Sequence, residues 1–181
     1  MGQFFDRIIR AVQLDVSLYE EVERDKGAMV QAVGVIVLSN LAAAVGTYSY
    51  GGWGQLVVRT LWSLILWYVG AFLIYIVGAK VFPEPQTRAD HGELLRTMGF
   101  ASAPGLIRVL GAMPAVTGIV FLGAMIWTLV ATVLAVRQAL DYQSTLRAVG
   151  VSVLGWLIQT LVLIVILAMT SGAASQTGPT P

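Results

Sequence analysis

The stretch RTMGFASAPGLIR (96–108) places eleven uncharged residues between two arginines, with Pro104 among them. It is too apolar for a water-exposed loop. Taken alone it is too short for a bilayer crossing, which needs roughly 20 predominantly apolar residues. Whether it is a loop, an interfacial segment or part of a longer broken helix decides the fold.

The surrounding chain narrows the choice. It has 181 residues, 57% of them hydrophobic and only 12% charged, with a mean hydropathy of +0.78. A soluble domain carries about twice that charge fraction. Arg59 and Lys80 enclose 20 uncharged residues, Arg108 and Arg137 enclose 28, and nothing after Arg147 is charged. Several runs are long enough to span, so the composition implies an all-α, polytopic integral membrane protein.

The first 27 residues hold four basic and six acidic side chains. This is not the short basic region followed at once by an apolar one that marks a signal peptide, and the first apolar run is expected to be a retained span. The chain has no cysteine, which excludes disulfides, thiolate metal sites and cysteine nucleophiles. A net charge of +1 gives no nucleic-acid signature.

QFFDRIIRAVQL (3–14) puts Phe4, Phe5, Ile8, Ile9 and Val12 on one helical face and Asp6, Arg7, Arg10 and Gln13 largely opposite. This predicts an amphipathic helix at the membrane surface. SLYE (17–20) has a capping-box pattern and starts a second, acidic helical turn. Residues 1–27 thus form a cytoplasmic amphipathic and acidic segment, 28–170 a membrane domain and 171–181 a flexible tail. Clear spans are expected at about 28–48, 57–79 and 149–170, with YSYGGWGQ (48–55) as an aromatic-anchored turn.

Two readings remain for the middle. Either 109–136 is one long tilted span, or two spans, 94–112 and 115–136, meet at a turn near Pro114 and Gly118. Charge separates them. With five spans and a cytoplasmic N-terminus, nine of the eleven basic residues fall inside, Arg59 alone falls outside, and Arg108 lies within a span. Four spans would move Arg137 and Arg147 outside, against the positive-inside tendency. Five transmembrane helices with the C-terminus outside are therefore expected, in the cytoplasmic (inner) membrane.

Three patterns in this order resemble the YIP family, small membrane proteins named for interaction with Ypt/Rab GTPases and widespread in bacteria. They are LYEEVERDKGAMVQA (18–32), LLRTMGFASAPGLIRVLGAMP (94–114) and the region from Trp127 through VRQALDYQSTLRAV (136–149). The resemblance implies five membrane helices, a cytoplasmic N-terminus and no enzymatic chemistry. It also implies, for eukaryotic members, work in vesicle trafficking and membrane shaping. This chain has a much shorter N-terminal region than those members, so a Rab-type partner is not carried over to it.

No hydrolase, nucleotide-binding or metalloprotease motif is present, and no cofactor is expected. His91, the only histidine, sits between Asp90 and Glu93, where a helix cap explains all three residues better than a metal site. The acidic cluster Glu20, Glu21, Glu23 and Asp25 reads as a solvated face or a partner contact. Polar residues within spans carry more weight because they are costly there. Arg108 reads three ways: an anchor snorkelling outward or touching lipid phosphate, an interhelical hydrogen-bond donor, or a substrate or ion site. Asn40 and Gln159 are lesser candidates for polar packing or lipid contact. Pro104 should kink its helix, with Gly99 and Gly105 allowing close helix approach. Membrane lipids and other membrane proteins, or a second copy of the chain, are the expected partners. The function expected is that of a scaffold, membrane-organising factor or accessory subunit, and the rival is a small oligomeric transporter or channel component. A transporter would line a water-accessible path with Asn40, Arg108 or Gln159.

Overall fold

Asp15 opens the best-capped helix of the N-terminal region, its carboxylate accepting a hydrogen bond from the Ser17 amide at 2.9 Å. The helix therefore begins ahead of Ser17, the cap suggested by the SLYE pattern: the carboxylate is an equally good acceptor and already holds the Ser17 hydroxyl at 2.7 Å. In this computed structural model, which describes residues 2–47 and 53–175, the helices are α1 (Gly2–Val12), α2 (Val16–Arg24), α3 (Ala28–Gly46), α4 (Trp53–Tyr75), α5 (His91–Phe100), α6 (Thr117–Ala139) and α7 (Thr145–Ser175). A π-helical turn, Ile76–Val81, prolongs α4, and a 3₁₀ segment, Ala103–Ala112, follows α5. The expected turn at 48–55 lies largely outside the described residues, as does 176–181 of the expected tail; α7 occupies the part before it.

Four helices are long and apolar enough to cross a membrane: Ala28–Gly46, Gly54–Val81, Thr117–Ala139 and Thr145–Ala168. Their outward faces are apolar. On α4, for instance, Leu61, Trp62, Ile65, Tyr68 and Phe72 are all exposed at helical spacing.

The stretch expected as the third span, 94–112, is not one α-helix. Pro104 has no N–H, and in an α-helix its ring would clash with the carbonyl of Phe100. The α-helix stops at Phe100, and the chain continues through i to i+3 bonds, Ser102 N–H to Gly99 carbonyl at 3.2 Å and Gly105 N–H to Ser102 carbonyl at 3.0 Å. A 3₁₀ helix rises about 2.0 Å per residue against 1.5 Å for an α-helix. The ten residues 103–112 thus reach about 20 Å, where an α-helix would reach about 15 Å.

This broken segment is the axis of the bundle. Every residue from Leu94 to Phe100 is buried. It runs parallel to α3 through successive close contacts. A Cβ on Gly99 would stand 2.6 Å from that of Ala32, one on Gly105 would overlap Ser39 Oγ, and Gly46 packs against the carbonyl of Arg108. Contact therefore extends from Ala32 to Gly46, about 21 Å of α3. On the other side α7 runs antiparallel to α4, pairing Val151 with Gly78, Gly155 with Ile74 and Gln159 with Gly70. One apolar core joins α1, α2, α3, α5, the 3₁₀ segment and α6 around Tyr19, Val35 and Phe100. A second joins α4, α5, α6 and α7 around Ile74, Leu94 and Leu140. All ten acidic residues belong to α1, α2 and its two caps Asp15 and Asp25, the 82–93 connection with the start of α5, or the α6–α7 turn. These elements form one charged end, and the opposite end, which carries Arg59, has no acidic residue.

Candidate functional site

At the charged end α1 and α2 fold back on each other through Leu14, which takes a left-handed backbone (φ 61°). That reversal turns the polar face of α1 inward. Arg7, expected on a solvated face, is 2% exposed. Its Nε donates to Glu21 at 2.8 Å, Nη1 to Gln31 on α3 at 2.9 Å, and Nη2 to Asp25 at 2.8 Å. Arg10 completes the network, donating to Asp15 at 2.8 Å, Glu21 at 2.5 Å and Ser17 at 3.1 Å. Hydrogen bonds from Arg10 draw the Asp15 carboxyl down to about 2 and lower that of Glu21, and Arg7 lowers Asp25. Half of the acidic cluster is thus neither a simple solvated face nor a free partner contact. It is the socket for α1.

A second lock joins α2 to α5. Arg96 is buried and donates through Nε to the carbonyl of Val22 at 2.9 Å and through Nη2 to that of Glu23. It satisfies carbonyls left open where α2 ends. Around that junction Glu23, Glu93 and Asp141 approach from three elements. Burial, then the charges of Glu93 and Asp141, push the Glu23 carboxyl up to about 7, and burial raises Glu93 as well. His91 and its neighbours form a helix start, as the sequence implied. Asp90 caps α5 and exchanges reciprocal bonds with Glu93 at 2.9 and 2.7 Å. The His91 ring lies edge-on to Tyr68 and Phe72, and no group of ligands fit for a metal occurs among the described residues.

The third tie is Tyr142, which sequence reading passed over. Its hydroxyl lies 2.9 Å from the carbonyl of Gly78 and 2.8 Å from that of Phe82, covering the acceptors at the end of the π turn. Glu84 accepts from the Gln143 amide at 3.0 Å and pairs with Arg147 at 3.3 Å. The result is a fixed platform of α1, α2 and two connections. Between α2, the 82–90 connection and the α6–α7 turn it leaves a polar cleft of about 520 Å³, with Gln86, Arg137, Gln138 and Asp141 on its walls.

The polar residues within the apolar helices are not gathered into one site. Asn40 on α3 donates to Ser63 Oγ on α4 at 2.5 Å, and Gln159 on α7 donates to the Leu66 carbonyl on α4 at 2.8 Å. Arg108 is partly buried near the end of α3 opposite the charged platform. Pro104, Gly99 and Gly105 lie on the tightly packed axis described above.

The Yip1 domain family matches residues 17–167. The chain belongs to that family. Comparison with curated proteins and with solved structures returned no match. As a Yip1 domain protein it is a multi-pass membrane protein, in a family that is in general non-enzymatic. The matched region takes in nearly all of α2, the broken axis and α7 as far as Leu167, whereas α1 precedes it and is docked onto it by Arg7.

Proposed function

We propose that this Yip1 domain protein is a non-catalytic scaffold or accessory subunit, which meets other membrane proteins in the bilayer and on the cytoplasmic face of the inner membrane. The observation that carries this reading is the platform. Arg7, Arg10, Arg96 and Tyr142 lock its parts together, and its polar cleft stays open. A preformed surface of this kind loses little freedom when a partner binds.

On this reading the chain crosses five times. The parallel contact of 99–111 with α3 supports the broken axis as a fifth crossing, since α5 and the 3₁₀ segment together extend about 35 Å. The N-terminus then lies with the charged platform in the cytoplasm, and the C-terminus outside. Within the same scheme α1 lies at the cytoplasmic interface. Phe5 and Ile9, 58% and 56% exposed, face the lipid while Arg7 faces the protein. Transport is the weaker reading because Asn40 and Gln159 are each spent on a separate interhelical bond.

Cross-linking in the native membrane, followed by purification in mild detergent, tests the proposal. The expected result is a complex of defined stoichiometry that depends on the platform and is lost in Arg7→Ala. A lone monomer after cross-linking would overturn it.

A further inference from the structure

Arg108 combines three properties. First, its side chain points away from the end of the bundle opposite the charged platform. The Arg108 carbonyl packs on Gly46, the last residue of α3, but Nη1 lies only 3.2 Å from where a Cβ on Gly105 would stand, beside Ser39. Ser39 is seven residues, or roughly 10 Å, further into α3. The guanidinium therefore runs back into the bundle instead of snorkelling toward the end of the helix, as a long side chain there ordinarily would. Second, it is partly buried, and no hydrogen bond or ion pair reaches it among the described residues. Third, the chain cannot neutralise it from any membrane segment, because residues 26–83, 94–140 and 142–181 contain no aspartate or glutamate.

A charge held at this depth is costly and is ordinarily paired. A second copy of the chain brings no acid at the matching level, so self-association leaves the arginine unpaired. A lipid phosphate would lie beyond the end of α3, which the guanidinium has turned away from. We propose that Arg108 is one half of an intramembrane ion pair, completed by the carboxylate of an aspartate or glutamate in a transmembrane helix of a different protein. That helix docks beside the 3₁₀ segment, where Val109, Leu110 and Met113 are exposed. The planar fork of the guanidinium matches a carboxylate through two parallel N–H···O bonds. This inference rests on the partner-binding reading above and specifies the chemistry of the partner.

The test uses the full chain in phosphatidylcholine vesicles, with a donor dye on a cysteine introduced at Thr177. Acceptor-labelled Leu/Ala transmembrane peptides carry Glu, Gln or Leu about one third of the way in from the same membrane face. The Glu peptide should associate about tenfold more tightly than the Leu peptide and more tightly than the Gln peptide. Arg108→Gln and Arg108→Leu should abolish the difference. Equal association of all three peptides with the unaltered protein, or a preference surviving in Arg108→Gln, would overturn the inference. So would loss of one bound phospholipid from Arg108→Gln in native mass spectrometry, which would assign the charge to a lipid phosphate. Arg108→Leu should unfold in detergent at the same or a higher temperature, since it removes a charge with no partner in the chain. A lower midpoint would make Arg108 part of the chain's own packing instead. If the complex from native membranes persists in Arg108→Gln, this inference fails while the partner-binding reading stands. A lone monomer of the unaltered protein would remove that reading itself.

Discussion

Arg7 and Arg108 are both drawn out of water, yet their surroundings differ in every respect. Arg7 uses three donors on Glu21, Gln31 and Asp25, contributed by α2, α3 and the turn between them. Arg108 has no partner among the described residues, and its neighbours are Gly105, Ser39 and the end of α3. The half of the bundle around Arg7 is assembled by charge, through side chains that select one another. The half around Arg108 is assembled by shape, through glycines that let backbones touch. Substitutions should therefore fail differently in the two halves, by loss of electrostatics in one and by steric overlap in the other.

The largest effect is expected where shape decides. A Cβ on Gly46 would overlap the carbonyl oxygen of Arg108, a backbone atom that cannot rotate away. Gly46→Ala should cost about 3 kcal/mol or more, at the upper end of overpacking penalties. It should show as aggregation or a steep fall in thermal midpoint in detergent. Gly123→Ala on α6 is the matched control, because nothing lies within 4 Å of its Cβ position. It should be neutral or gain up to about 1 kcal/mol from helix propensity. Equal damage at both sites would dissolve the contrast between the halves.

Arg7→Ala comes next. Breaking a buried ion pair by removing one partner costs about 3–5 kcal/mol, but Glu21 and Asp25 are more than a third exposed and water can take over part of their solvation. A loss of about 2 kcal/mol is expected, with α1 released first. Limited proteolysis should therefore cut near Gln13–Asp15 in this variant and not in the unaltered protein. Unchanged protection there would show that Phe4, Ile8 and Ala11 hold α1 without the arginine.

The two arginines also mark where sequence reading succeeds and where it stops. Local patterns showed the apolar runs and the Asp90–Glu93 cap, because each depends on residues within about one turn. Pro104 marked the disturbed point of its helix, but as a kink in a continuing span and not as the end of the α-helix at Phe100. Arg7 was assigned to water because a 3.6-residue period shows which residues share a face, not what that face meets. The excess of carboxylates in α2 was the available signal, since such a cluster calls for cations. Arg96 left no comparable trace: its partners are carbonyls, which every residue possesses. The inward turn of Arg108 likewise depends on close packing of its segment against Gly46 and the Ser39 hydroxyl, which lie far away in the chain. Nothing around Gly78 in the sequence foretold the π turn that Tyr142 covers.

A smaller effect is expected from the single interhelical bonds. Gln159→Leu should cost about 0.6 kcal/mol, the average for such bonds in a membrane bundle, and Asn40→Leu about the same. Neither should alter partner association. If both substitutions abolished function without loss of stability, the polar residues would belong to a path rather than to packing, and the transporter reading would gain ground.

The smallest effect has a sign that distinguishes the two kinds of carboxylate on the platform. Glu23 is raised to about 7 in the folded chain from an ordinary value near 4.5, by burial and by Glu93 and Asp141. Ionising it is therefore harder in the folded state than in the unfolded one. Its contribution to stability is fully present below about pH 4.5 and is lost as pH rises through about 7. Asp15, Glu21 and Asp25 run the other way: their values are lowered, so their contribution persists at neutral pH and disappears only as the solution becomes strongly acidic, through about pH 2 for Asp15. Between pH 5.5 and 8 only the first kind of carboxylate titrates, while His91, whose protonation burial disfavours, works the other way and trims the effect. The thermal midpoint should fall by about 1–2 °C, a small change also because Glu23 is only partly buried. Glu23→Gln should flatten that slope and leave the variant more stable than the unaltered protein at pH 8. Arg7→Ala should leave the slope in place, since Arg7 binds the lowered carboxylates and not Glu23. A slope that vanished in Arg7→Ala instead would place the raised carboxylate within the α1 socket, and the two locks of the platform would have to be treated as one.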